Sequence, residues 1–388
     1  MSRIFVKQVP KLVRQHLPRV PQLGAVAVVE ALEDVACLRE RDKHVEEFIT
    51  HCVSRALALL PDLRVPGVIR ALFAYKKADV HSQVFLEEVA KFILEECGHG
   101  RLYESFLENC TANDILLLYK AFAVNEYFNI QLYTLCMGLI ATQTPHMIPS
   151  DCVIFFQSHL KYLRAFETGG FAKYSDTAMQ HRVMNAPLAT EITLQFLKQK
   201  DATPEDLTSF AEWLVPMGEY YGICDAICDL VAQLHLNLSQ KPVIFSIDHI
   251  HRLVQSTCKL HAHTDTRYHR AARTFIESLL HEAERRSDVH KYEDALASLY
   301  ALDSVDLWRL ELVSGLLYSV INNVDCSEDA ARIRKIIKRM LQSTDVTQKT
   351  IDSMTIEFTI DICPSELAVL RLREMLDLLD KRKYSAIT

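Results

Sequence analysis

Val65-Pro-Gly-Val-Ile-Arg-Ala-Leu-Phe-Ala-Tyr75 and Ala112-Asn-Asp-Ile-Leu-Leu-Leu-Tyr-Lys-Ala-Phe-Ala-Val124 are two versions of one phrase. Each sets apolar residues at helical spacing and closes on a Phe-Ala pair, Phe73-Ala74 and Phe122-Ala123. A short polar break and a second apolar helical pattern follow each of them. Further along, Glu126-Tyr-Phe-Asn-Ile130 recurs as Glu219-Tyr-Tyr-Gly-Ile223. A hairpin of two amphipathic helices cannot bury its apolar faces alone, so its repetition every ~35–50 residues predicts a stack. The expected fold is all-α, an α-solenoid of stacked helical hairpins with about seven to eight repeats.

Composition agrees with that class. The chain has 388 residues, of which 49% are hydrophobic, enough for a long continuous core. It has only 10 glycines and 12 prolines, fewer turn residues than a sheet-rich fold of this length needs. The eleven cysteines form no CxxC pair and are odd in number, a pattern of reduced thiols and not of a disulfide framework. No apolar run is long enough to span a membrane; the best, Ile115 to Val124, is short and holds Lys120.

The leading helices are expected to end near residues 38, 74, 123, 166, 214, 257 and 301. Irregular spacing of this kind is tolerated because each repeat matches only its neighbours. Thr111 or Asn113 is placed to cap one helix, and Thr203-Pro204-Glu-Asp206 to start another. Pro187 reads as the opening of a new helix, and the helix of Trp213 is expected to yield near Pro216. Thr350 to Cys363 alternates weakly, which fits either a short strand or a buried helix. Residues 23–388 read as one continuous array with a weak seam near 238–242.

Residues 1–22 differ in character. Arg3, Lys7, Lys11, Arg14 and Arg19 precede the first acid, Glu30, and the first four share a helical face. An acid-free basic amphipathic start fits a mitochondrial targeting segment, and it also fits a basic arm that packs on a partner or on RNA. The first reading places the protein in the mitochondrial matrix, the second leaves it cytoplasmic.

Candidate chemistry is sparse. No Gly-rich phosphate loop, HExxH, GxSxG or Walker pattern is present, and no enzyme is expected. His249, His251, His261, His263 and His269 crowd one stretch; residues two apart on a helix face different ways, so only His261 and His263, in an extended break, could share an ion, and no cysteine completes a zinc set. No metal and no cofactor are therefore expected. Two cationic groups stand out. Arg267, Tyr268, Arg270 and Arg273 form a basic start to a helix beside an aromatic ring. Arg332, Lys335, Lys338 and Arg339 form a dense run whose last three share a face opposite Ile333, Ile336, Ile337 and Met340. Each group fits RNA phosphate contact, and each also fits a solvated face or an acidic partner. The net charge of −7 means that any RNA contact must be local. Phe155, Phe156, Tyr162 and Phe166 read as core.

Leu72-Phe-Ala-Tyr75 and Ala121-Phe-Ala123 carry a family resemblance. The chain resembles octotricopeptide-like and FAST-kinase-like helical-repeat proteins of organellar RNA metabolism. The resemblance covers Leu63 to Ala141 and, more loosely, Pro204 to Ala232. The C-terminal RAP domain that many members carry is not matched, and its roles are not carried over. In its basic start, helical repeats and modest acidity the chain is also similar to helical scaffold subunits of kinetoplastid mitochondrial RNA-editing mediator complexes. These resemblances imply a non-catalytic scaffold in mitochondrial RNA processing or editing, binding protein partners and single-stranded RNA. The alternative is a structural subunit of a mitochondrial ribosome or respiratory complex that makes no direct RNA contact.

Overall fold

The computed structural model describes residues 13, 17–38, 43–79, 83–98, 110–168, 175–199, 201–221, 224–262, 266–286, 290–305, 307, 310–324, 327–343 and 364–381. All regular structure among them is helical. The chain divides into two compact units, Met1–Ala202 and Thr203–Thr388.

The first unit contains α1 (Ala25–Ala36), α2 (Lys43–Ala58), α3 (Val65–Lys77), α4 (Gln83–Gly98), α5 (Ala112–Val124), α6 (Ile130–Gln143), α7 (Pro149–Glu167) and α8 (Ser175–Lys198). The second contains α9 (Pro204–Tyr221), α10 (Cys224–Gln240), α11 (Ile247–His261), α12 (Thr266–Glu284), α13 (Tyr292–Ser304), α14 (Leu310–Asn323), α15 (Ser327–Ser343) and α16 (Pro364–Lys381). Packing follows the repeat rule. In the first unit the leading helices α1, α3, α5 and α7 stack in order, and the trailing helices α2, α4 and α6 stack behind them. In the second unit α9, α11 and α13 form the leading row, and α10, α12, α14 and α16 the trailing row. The interior helices of each row are thus sandwiched between the corresponding helices of adjacent repeats, as expected of stacked hairpins. The seam expected near 238–242 lies inside the second unit, where α9 packs on α11 and α10 on α12 across it.

The quoted phrases are α3 and α5, adjacent members of the leading row. In α5 the apolar positions Ile115, Leu116, Tyr119, Phe122 and Ala123 are all buried. Thr111 starts that helix: its hydroxyl accepts from Asp114 N at 3.2 Å while Asp114 accepts from Thr111 N at 2.9 Å, a reciprocal cap. Thr203 and Asp206 do the same for α9. Both α3 and α5 are followed by a left-handed residue, Asp79 at φ 50° and Glu126 at φ 56°. That conformation turns the chain sharply and frees its next amides to satisfy terminal carbonyls, as Tyr127 N does for Phe122 O at 3.1 Å. Asn125 then ties neighbouring repeats, donating to Leu72 O at 3.1 Å and Ala121 O at 2.8 Å.

A second recurring device enters the leading helices. Pro21-Gln-Leu23-Gly24, Pro61-Asp-Leu63-Arg64 and Pro145-His-Met147-Ile148 each precede a leading helix, and Pro242-Val-Ile-Phe245-Ser246 adds one residue. The proline sits in a short 3-10 turn in each case. Leu63, Met147 and Phe245 plug the core in extended conformation. An extended cap residue then starts the helix.

Three sequence expectations need correction. Pro187 opens no helix, and Pro216 ends none; they lie inside α8 and α9. An interior proline removes one hydrogen bond and costs about 3 kcal/mol. Here the packed face holds the helix together: Leu188, Ala189 and Ile192 follow Pro187, and Leu214 and Met217 flank Pro216, all buried. The recurrence of Glu126-Tyr-Phe-Asn-Ile130 at Glu219 is a match of letters at similar junctions, not of conformation, because Glu219 is helical and Glu126 is left-handed. The segment Thr350 to Cys363 and the basic residues Arg3, Lys7, Lys11 and Arg14 lie outside the described residues.

Candidate functional site

The cationic groups do not share one surface. Arg270 and Arg273 project from α12 in the trailing row of the second unit, whereas Arg332, Lys335, Lys338 and Arg339 belong to α15, which stands against the leading helix α13. Arg267 and Tyr268 lie in the first turn of α12, with side chains outside the described set. Arg270 is exposed, while Arg273 reaches Glu277 one turn on at 3.4 Å. Such an exposed pair contributes only a few tenths of a kcal/mol.

On α15 half of the patch serves the fold. Arg339 donates to Asp303 of α13 at 2.8 Å. Asp303 Oδ1 and Arg339 Nε are buried without hydrogen-bond partners, so the pair is joined at one side only. The Arg332 guanidinium stacks 3.6 Å from the centroid of the Tyr300 ring. The Tyr300 hydroxyl in turn donates to Asp329 at 2.7 Å, as does that of Tyr292 at 3.1 Å. Lys335 and Lys338 remain as exposed cations, and Ile333, Ile336, Ile337 and Met340 are buried on the opposite face. Sequence reasoning missed Tyr300, Asp303 and Asp329. Nothing in local spacing shows that residues about 30 positions apart will meet; only the stacking register does.

The histidine-rich stretch also resolves into separate contacts. His251 is buried on α11; its Nδ1 lies 2.8 Å from Ser298 Oγ and its Nε2 3.0 Å from His290 Nδ1. Burial, with the neighbouring His290, lowers its pKa to about 4. His249 caps α11 and bonds Glu205 at 3.0 Å. His261 and His269 stack with centroids 5.0 Å apart. His263 lies outside the described residues. No three His, Cys, Asp or Glu side chains converge on a metal position among the described residues.

Arg252 is the most heavily bonded cation described. It forks onto Glu212 with two 2.7 Å bonds, bonds Glu205 at 2.8 and 2.9 Å and Ser209 at 2.9 Å, and so pins α11 to α9. Burial opposes the charged form of Glu205, but hydrogen bonds from Ser209, Arg252 and His249 outweigh it and hold the carboxyl at about 2. In the first unit the joint between α5 and α7 is aromatic. Tyr119 and Tyr162 stack at 4.5 Å, Phe155 and His159 at 4.9 Å, and Tyr119 Oη lies 2.8 Å from His159 Nδ1. Phe155, Phe156 and Tyr162 are core, as their spacing predicts. Full burial takes His159 down to about 3.

No protein-family model matches the chain, and no curated protein matches it. Among solved structures the chain is similar to a circular tandem repeat protein with novel repeat topology and enhanced subunit contact surfaces. That similarity has a TM-score of 0.33 at 12% identity and covers 96% of this chain and 97% of that one. No described helix is long and apolar enough to cross a membrane.

Proposed function

We propose that this chain is a non-catalytic scaffold in mitochondrial RNA processing or editing that holds protein partners of a multisubunit assembly. One observation carries the reading: the most strongly bonded polar side chains described in the second unit are committed to joints between neighbouring helices. Arg252 joins α9 to α11, His251 joins α11 to α13, and Arg339 and Tyr300 join α13 to α15. Glu284 joins α12 to α14, accepting from Ser314 Oγ and Gly315 N at 2.7 Å. A stack locked in this way offers an extended surface of helix faces, which repeat arrays use for binding. The mitochondrial and RNA elements rest on the acid-free basic start and on the resemblance to organellar helical-repeat proteins.

Direct RNA contact falls to Lys335, Lys338 and Arg270. Labelled single-stranded RNA, titrated with the full chain across a salt series, tests it. Binding that weakens steeply with salt, and that is lost in Lys335→Glu/Lys338→Glu, supports phosphate contact. A second reading, a purely structural subunit of a mitochondrial ribosome or respiratory complex, is favoured by the internal engagement of Arg332 and Arg339. It predicts no RNA binding even at low salt.

A further inference from the structure

Among the described residues, three cations on the leading row of the first unit pair with no carboxylate. Lys120 sits on α5 with Leu117 one turn before and Val124 one turn after, all three half-buried on one face. Lys161 and Arg164 are one turn apart on α7, both exposed, with half-buried Gln157 a turn earlier. The two helices pack directly on each other, and the Lys161 charge acts on Lys120. None of the three cations makes an ion pair with a described residue.

Joints elsewhere are different. Arg70 of α3 meets Glu33 of α1, Arg252 meets Glu205 and Glu212, and Arg339 meets Asp303. At Lys120, burial and a second ammonium, that of Lys161, both oppose the charged form. Desolvating a cation beside a like charge is unfavourable in the isolated chain, and an anion supplied from outside relieves it.

We infer that the α5–α7 face is a docking surface for an acidic, amphipathic segment of a partner protein. Its carboxylates pair with Lys120, Lys161 and Arg164, and its aliphatic side chains cover Leu117 and Val124. The inference rests on the scaffold reading and names the chemistry of one partner. A protein segment fits better than single-stranded RNA. Sequence-tolerant RNA surfaces stack bases on exposed rings, but the rings next to these cations in sequence, Tyr119 and Tyr162, are 0% and 1% exposed, and Phe128 is only half-exposed and lies edge-on to Tyr162 at 5.2 Å. The half-exposed groups that flank Lys120, Leu117 and Val124, are aliphatic.

The test is fluorescence anisotropy on the full chain with two probes: a fluorescein-labelled peptide of Leu-Glu-Glu-Leu repeats and a labelled oligouridine. The peptide is expected to bind in a salt-sensitive way and to lose about tenfold in affinity in Lys120→Gln/Lys161→Gln/Arg164→Gln. A control variant on the other unit, Lys241→Gln/Lys259→Gln, both exposed, is expected to bind the peptide like the parent. Circular dichroism confirms that each variant is folded. The inference is overturned if the parent ignores the peptide, if the triple variant binds it equally, or if oligouridine is the probe whose binding the triple variant loses. A chain that still sediments within a large assembly but ignores the peptide refutes this surface and leaves the scaffold reading standing.

Discussion

Replacing Arg252 by Gln probes how the second unit is held together. The substitution keeps much of the aliphatic stem but removes the fork and its charge. The two 2.7 Å bonds to Glu212 form a bidentate pair with side chains 31% and 27% exposed. Charge-assisted bonds of this kind contribute about 1.5–3 kcal/mol, and partial exposure places this pair at the lower end. Glu205 is 58% exposed, so its bonds to Arg252 add only a few tenths of a kcal/mol. Arg252→Gln is therefore expected to destabilise by about 2 kcal/mol, and Glu205→Gln by well under 1 kcal/mol. Urea unfolding followed by far-ultraviolet circular dichroism measures both. A double-mutant cycle of Arg252→Gln with Glu212→Gln is expected to show a coupling of about 1 kcal/mol or more. If Arg252→Gln lies within about 0.5 kcal/mol of the parent, the polar joint contributes little and the reasoning fails.

Acid is expected to weaken both units. In the unfolded chain His159 and His251 take up protons near 6.5, but the folded chain holds them neutral down to about 3 and about 4. The unfolded state therefore binds more protons below pH 6.5, so stability is highest above that value and falls as pH drops towards 4 and 3. Each imidazole contributes a slope of up to about 1.4 kcal/mol per pH unit. Urea midpoints at neutral and mildly acidic pH measure this, and a flat profile in that window would contradict the buried, neutral assignment. Thiol labelling is expected to sort the cysteines: exposed Cys37 reacts quickly, while Cys52 and Cys258, buried and pushed up to about 12, react only on unfolding. Fast labelling of Cys52 in the native chain would show that the α2 core is open.

The fold was legible because the helical period and the repeated phrase at Phe73-Ala74 and Phe122-Ala123 are local signals that packing reinforces. Caps were legible for the same reason: Thr111 with Asp114, and Thr203 with Asp206, sit three residues apart. Pro187 and Pro216 misled because tertiary burial on one helix face offsets a local defect, and sequence alone gives no measure of that burial. The entry turns around Pro21, Pro61, Pro145 and Pro242 were visible in principle; their spacing is too uneven to stand out until Leu63, Met147 and Phe245 are seen filling equivalent core positions. The cationic run on α15 was found by density, but density does not reveal that Asp303 and Tyr300 take Arg339 and Arg332. Conversely, Lys120 looked like an interruption of an apolar helix. Its meaning depends on Lys161, which lies one repeat away and meets it only in the stack.

The most direct test of the scaffold account is sedimentation of the tagged full-length chain from gently lysed cells, with and without ribonuclease. The account predicts migration in a particle far larger than the 44.4 kDa chain, with protein partners that remain after ribonuclease treatment. Migration as a free monomer under both conditions would contradict it.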